Sequence, residues 1–246
     1  MRLLVSVRSA GEAGSAVEGG AEIVDAKEPG RGSLGAVDPA TLAQIADALP
    51  DGTPLSIALG DLATPIAAAH AMDLLRAVAR RPAELYVKIG LAGVIDPGAA
   101  RSVLEAAVGA ARRSPLDPGV IAVAYADHQL AGAVAPAVVL DAAAQAGARG
   151  VLMDTWSKHG RSLFAWATRS DVHRWLDGAR GRGLLTALAG SLGLDQVALV
   201  SALAPDVLGV RGAACEHGRA GVVSARLVRQ LAVAIRRGDP ALQATG

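Results

Sequence analysis

Lys27, Lys88 and Lys158 are the only lysines in a chain of 246 residues that carries 24 lysines and arginines together. Positive charge is otherwise written as arginine, and a guanidinium can neither act as an amine nucleophile nor release its proton at neutral pH. Three retained amines point to a Schiff base with a substrate carbonyl, to proton transfer, or to a hold on phosphate. The first two need a neutral amine, so an ordinary pKa of about 10.4 must fall by roughly three units, about 4 kcal/mol. Burial and neighbouring like charge supply such a fall. Asp25 and Asp154 act in the opposite direction, so which amine is neutral stays open. The competing reading makes Lys27 and Lys88 partners in rim salt bridges and Lys158 a solvated charge.

The elements that must position these amines follow from hydrophobic periodicity. Continuous apolar runs over 3–7, 22–26, 55–59, 85–89, 120–125, 150–154, 184–188 and 207–211 read as strands buried on both faces. Helical spacing marks 65–80, 99–113, 136–146, 171–182 and 224–237. Asp38-Pro39 and Asp96-Pro97 each combine an N-cap with proline at the first helical position. Eight strand–helix units over this length predict an α/β chain folded as a single (β/α)₈ TIM barrel, residues 1–246, with 239–246 a loose tail. An open doubly wound sheet would carry a glycine fingerprint after its first strand. Arg8-Ser9-Ala10-Gly11-Glu12-Ala13-Gly14 lacks it.

Barrel active sites lie at the C-terminal strand ends, and all three lysines fall at or just beyond those ends. Asp25 ends strand two and is counted among the residues expected to bind the phosphorylated substrate; Asp154 ends strand six; Asp61 and Asp127 are placed either as helix N-caps or as substrate ligands. Gly190 and Ser191 after strand seven, with Arg211 and Gly212 after strand eight, make the expected phosphate site, because small residues let backbone N–H groups approach an anion. The glycine-rich turn 28–36 after Lys27 is expected to close over bound substrate. Cys215 has no base placed beside it and reads as a buried thiol. His70, His128, His159, His173 and His217 show no metal-ligand spacing, so no metal and no cofactor is expected.

A net charge of +1 and 2% aromatic residues give no reason to expect a nucleic-acid partner. A single cysteine, no signal-peptide pattern and no long apolar run predict a cytoplasmic protein without membrane association. The expected partner is a small-molecule sugar phosphate, and a homo-oligomer stays open.

Several stretches then stand out together: Asp25-Ala26-Lys27-Glu28-Pro29 running into Gly32-Ser33-Leu34-Gly35-Ala36, Val87-Lys88-Ile89-Gly90-Leu91, Tyr125-Ala126-Asp127, and Asp154-Thr155 with Lys158 and Ser162-Leu163-Phe164. Leu188-Ala189-Gly190-Ser191 and Val210-Arg211-Gly212-Ala213-Ala214-Cys215 complete the set. The chain resembles the (5-formylfuran-3-yl)methyl phosphate synthase family over nearly its whole length. The resemblance implies a barrel lyase that condenses two molecules of glyceraldehyde 3-phosphate into 4-(hydroxymethyl)-2-furancarboxaldehyde phosphate, the furan precursor of methanofuran or methylofuran. It implies Lys27 as the Schiff-base lysine, Lys88 as proton donor and acceptor, and Asp154 and Lys158 as assistants. Glu216-His217-Gly218-Arg219 departs from the family's more glycine- and aspartate-bearing stretch. The rival enzyme is a generic Schiff-base aldolase on sugar phosphates; the rival from another class is a phosphate-binding barrel without catalysis.

Overall fold

The computed structural model describes residues 1–79 and 82–238. Eight parallel strands close into a barrel in sequence order: β1 (Arg2–Val7), β2 (Ile23–Ala26), β3 (Leu55–Asp61), β4 (Leu85–Gly90), β5 (Gly119–Tyr125), β6 (Gly150–Asp154), β7 (Leu185–Leu188) and β8 (Val207–Val210). The closing pair sets Leu4 beside Gly209 and Val5 beside Val210. The TIM-barrel expectation is met, with strand bounds shifted by a residue or two. Helices α1 (Ala10–Gly19), α2 (Pro39–Asp47), α3 (Pro65–Ala71) and α4 (Pro97–Arg113) cover the first half. The short α5 (His128–Ala131), then α6 (Pro136–Ala146), α7 (Arg169–Arg180), α8 (Val197–Leu203) and α9 (Ala225–Gly238), cover the second.

Local chemistry sets these bounds. The Asp38 and Asp96 carboxylates accept from the N–H groups of Thr41 (2.8 Å) and Ala99 (2.7 Å), as their Asp-Pro pairs predict. Thr168 and Asp171 cap each other in a capping box, which starts α7 two residues before the periodicity does. The helix expected over 65–80 ends at Ala71 and continues as a 3-10 turn, Met72–Ala77. Its expected last residue, Arg80, and the tail expected over 239–246 lie outside the described residues.

Each strand alternates an inward and an outward face. Outward residues pack against the helices in the larger core. Inward residues form the smaller one, which includes Ile23, Tyr86, Ile121 and Leu152. Barrel interiors are ordinarily filled by bulky branched residues. Here Ala187 of β7, Ala189 just after it and Gly209 of β8 are small, and a cavity of about 320 Å³ opens between these strands and the C-terminal rim.

A buried ion pair fastens the seam. Arg211, just after β8, holds Glu12 of α1 through Nη1 (2.8 Å) and Nη2 (3.3 Å), both side chains almost fully buried. Its remaining N–H groups reach the carbonyls of Ser6 (2.9 Å), Arg219 (3.0 Å) and Gly221 (3.1 Å). One guanidinium thus ties together β1, α1 and the loop after β8. Breaking a buried pair from one side strands the other charge and costs about 3–5 kcal/mol. Urea unfolding of Glu12→Ala is expected to show a loss of this order, and Glu12→Gln, whose amide oxygen still accepts from Arg211, a smaller one.

Candidate active site

β2, β4 and β6 bring the three lysines to one cavity, and each amine has a different environment. Lys88 projects inward from β4 and pairs with Asp25 of β2 at 2.6 Å, both side chains buried. Ser6 of β1, in register with Asp25, donates to the same carboxylate oxygen at 2.7 Å. Burial alone would raise the Asp25 pKa; the Lys88 and Lys27 charges and the bonds from Lys88 and Ser6 outweigh it and hold the carboxyl below its usual range. Lys158 folds back on Asp154 at 2.6 Å, and Thr155 N–H donates to that same oxygen at 2.7 Å. Asp154 is likewise held ionised against its burial, by Lys158 first and Lys27 next.

Lys27 is the amine left over. Its Nζ has no hydrogen bond or ion pair among the described residues, and its side chain is 6% exposed, inside the cavity. Burial, then the Lys88 charge, bring its pKa to about 7, against the pull of Asp154 and Asp25. Of the three amines left open by the sequence, Lys27 is the one whose pKa falls towards neutrality, and it lies between the pairs Lys88–Asp25 and Lys158–Asp154.

Two expectations for phosphate ligands change. Asp25 is fully buried and engaged by Lys88 and Ser6, so it serves as the counter-ion of Lys88; an ionised carboxylate also repels phosphate. Arg211 lines the cavity, but all five of its N–H donors are committed inside the protein. Gly190, Ser191 and Gly212 do line the cavity, with Leu192, Gly193 and Ala213. Gly190 (φ 103°) and Ser191 (φ 52°) are both left-handed. Gly190 sits so close to Thr155 and Leu163 that a Cβ would crowd them. Gly212 and Ala213 open a 3-10 turn whose first amides have no partner within it.

Asp61 and Asp127 cap no helix through their side chains; Thr64 caps α3 instead. Asp61 accepts from the Tyr125 hydroxyl (2.6 Å) and Ala92 N–H (3.1 Å). Burial, then the Asp61 charge, keep the Tyr125 phenol protonated far above its ordinary range. Asp127 accepts from the N–H groups of Trp156 (2.7 Å) and Ser157 (2.8 Å), which sets the loop that carries Lys158.

The turn after Lys27 is tied down: Glu28 N–H donates to Gly35 O (2.8 Å), Ser33 Oγ to Thr155 O (3.0 Å) and Arg219 Nη2 to Gly32 O (2.8 Å). A Cβ on Gly35 would run into Glu28 O and Arg31. The segment is tied into the loops around it and none of residues 28–36 lines the cavity, so it does not stand as the closing loop expected. Cys215 is buried and its thiol is pushed up by that burial. His159 is exposed. Among the described residues, no three His, Cys, Asp or Glu side chains are gathered as a metal site. Ser6 and Arg219 went unnoticed as site residues. The inward parity of Ser6 was a usable signal; Arg219 had none beyond its place in an unusual last loop.

A family model described as 4-HFC-P synthase matches residues 3–232. A (5-formylfuran-3-yl)methyl phosphate synthase of Methanopyrus kandleri is 38% identical over 236 residues, 95% of this chain and 98% of that protein. One of Archaeoglobus fulgidus is 35% identical, covering 96% and 99%. Among solved structures, the chain is similar to a KGPDC from Streptococcus mutans (TM-score 0.61, 12% identity, covering 96% of this chain and 97% of that one). It is also similar to a 3-hexulose-6-phosphate synthase (TM-score 0.59, 17% identity, covering 96% and 100%). At such identities these two likenesses speak for the barrel alone.

Competitive acetylation across pH reads the Lys27 amine directly, with a midpoint expected at about 7. Lys88→Met removes a like charge and leaves Asp25 unpaired, so it should move that midpoint up. Asp154→Asn removes an opposing charge and leaves Lys158 unpaired, so it should move it down.

Proposed function

The chain belongs to the 4-HFC-P synthase family, the furan-phosphate synthases of methanofuran biosynthesis, and we propose that it condenses two molecules of glyceraldehyde 3-phosphate through a Schiff base on Lys27. The observation that carries this reading is the buried, unpaired Lys27 amine set between the pairs Lys88–Asp25 and Lys158–Asp154. A neutral Nζ adds to the carbonyl of one triose phosphate, isomerised to the ketone where the order of steps requires it, and water departs as the iminium forms. The iminium is an electron sink, so loss of a neighbouring proton gives an enamine. The Lys88–Asp25 pair is suited to take up that proton, with Asp25 as the resting acceptor and the Lys88 amine relaying between it and the substrate carbon.

The enamine carbon then bonds to the aldehyde carbon of the second triose phosphate, whose oxygen takes up a proton. Loss of one phosphate and closure of the ring give the aromatic furan and release Lys27. Atoms balance as two trioses giving one furan aldehyde phosphate, one inorganic phosphate and two waters. Lys158, held at the cavity by Asp154, is suited to supply protons to departing oxygens. The retained phosphate fits the backbone amides around Gly190, Ser191, Gly212 and Ala213. A metabolic enzyme with these substrates fits a cytoplasmic home, and no described helix is long and apolar enough to cross a membrane.

Borohydride reduction in the presence of glyceraldehyde 3-phosphate, with the adduct mapped by mass spectrometry, is expected to label Lys27. Without the reductant, furan absorbance and inorganic phosphate should appear together, and Lys27→Arg should lose both the adduct and the furan. An adduct on Lys27 accompanied only by dihydroxyacetone phosphate or a hexose phosphate would identify a reversible aldolase instead. No adduct at all would remove the Schiff base.

A further inference from the structure

Two phosphorylated trioses bring two dianions into one cavity, and the backbone amides after β7 and β8 account for one. The cations that line the cavity are Lys27, Lys88, Lys158, Arg211 and Arg219. Lys88 and Lys158 are each within 2.6 Å of a carboxylate, and Arg211 is saturated by Glu12 and three carbonyls. Lys27 is the nucleophile. That leaves Arg219, the one lining guanidinium without a carboxylate in ion-pair contact among the described residues.

Arg219 is half-buried, and its described bonds use a single nitrogen: Nη2 donates to Gly32 O at 2.8 Å and reaches Pro29 O at 3.5 Å. Nε and Nη1 have no described partner, so a positive charge and the N–H donors of two nitrogens stay available to a phosphate at the cavity. Its position is built from beneath, because Arg211 holds the carbonyls of Arg219 and Gly221 from the barrel interior. Its Nη2 bond in turn fixes it to the segment that follows Lys27.

We propose that Arg219 forms a second anion subsite in this cavity, taking the phosphate of one triose phosphate while the amides of the β7 and β8 loops take the other. The assignment rests on the reading above that two phosphorylated trioses meet at Lys27. It gives Arg219 a substrate contact and gives Arg211, the residue singled out by sequence position, the task of placing it.

Orthophosphate serves as the probe, because its binding does not depend on any reaction. Calorimetric titration should find two phosphates per wild-type chain, one in Arg219→Gln, and two in Arg219→Lys with the second weakened. The glutamine removes the guanidinium and its charge while staying polar, and the lysine variant restores the charge alone. In borohydride trapping, Arg219→Gln should raise the half-saturating glyceraldehyde 3-phosphate concentration by ~10–100-fold while leaving trapping by unphosphorylated glyceraldehyde unchanged. A single phosphate in the wild type, the same count in wild type and Arg219→Gln, or an equal loss with both aldehydes would overturn the subsite. Two phosphates falling to one, with no trapping in any variant, would support the subsite and reject the Schiff base alone.

Discussion

Everything in this site depends on an imbalance of charge: three ammonium groups and two carboxylates share the interior of one barrel. Asp25 is taken by Lys88 and Asp154 by Lys158, each at 2.6 Å. Lys27 is buried beside them with no partner, and the least costly state of the cluster is the one in which Lys27 has lost its proton. A pKa near 7 in place of 10.5 corresponds to a bias on the order of 5 kcal/mol at about 1.4 kcal/mol per unit. Linkage gives its sign. The unfolded chain binds the Lys27 proton more tightly than the folded one between pH 7 and 10.5, so this residue's drag on folding is full below pH 7 and fades as pH rises through that window. The fold carries that cost at neutral pH, and a nucleophilic amine is what it maintains by doing so.

The barrel makes the imbalance geometrically possible. Layers in such barrels draw side chains from alternate strands, and here the even strands each supply a cation at or beyond the end: Lys27 after β2, Lys88 in β4, Lys158 after β6 and Arg211 after β8. Three of the four have a carboxylate, and the fourth, Lys27, has none among the described residues. Register decides the partners. Ser6, Asp25 and Ser56 are neighbours across β1, β2 and β3, and Lys88 lies in register with Ala58, so its long side chain reaches across β3 to Asp25. Small residues on β7 and β8 leave the room into which substrate can come. In an ordinary barrel that room is core.

The positions of the lysines were readable because they are scarce and because strand ends are marked by apolar runs that stop. Their partners were not, since Lys88 and Asp25 are 63 residues apart and meet only through register. The same holds for Arg211. A single arginine after the last strand looks like a phosphate ligand until Glu12, 199 residues earlier, is found against it. Asp61 and Asp127 sit where N-caps belong and instead bind Tyr125, Ala92 and the Trp156–Ser157 backbone, because Thr64 already serves α3. Caps are local and legible, as Asp38 and Asp96 show; choices between a cap and a distant partner are made in three dimensions.

The stretch from Lys27 to Ala36 shows the same divide within ten residues. Its glycines suggest a mobile flap, yet Gly35 is there because Glu28 O and Arg31 leave no space for a side chain, and Ser33 is locked to the backbone of Thr155. A segment tied down in this way holds the backbone that follows Lys27, and with it the side chain beside its two ion pairs. Preorganisation of this kind keeps charged groups in their working positions without reorganisation. It also separates two tasks that a single flexible loop would have to combine. The interior pairs set the protonation of Lys27, and the rim contacts of Arg219 and the last two loops determine what can approach it.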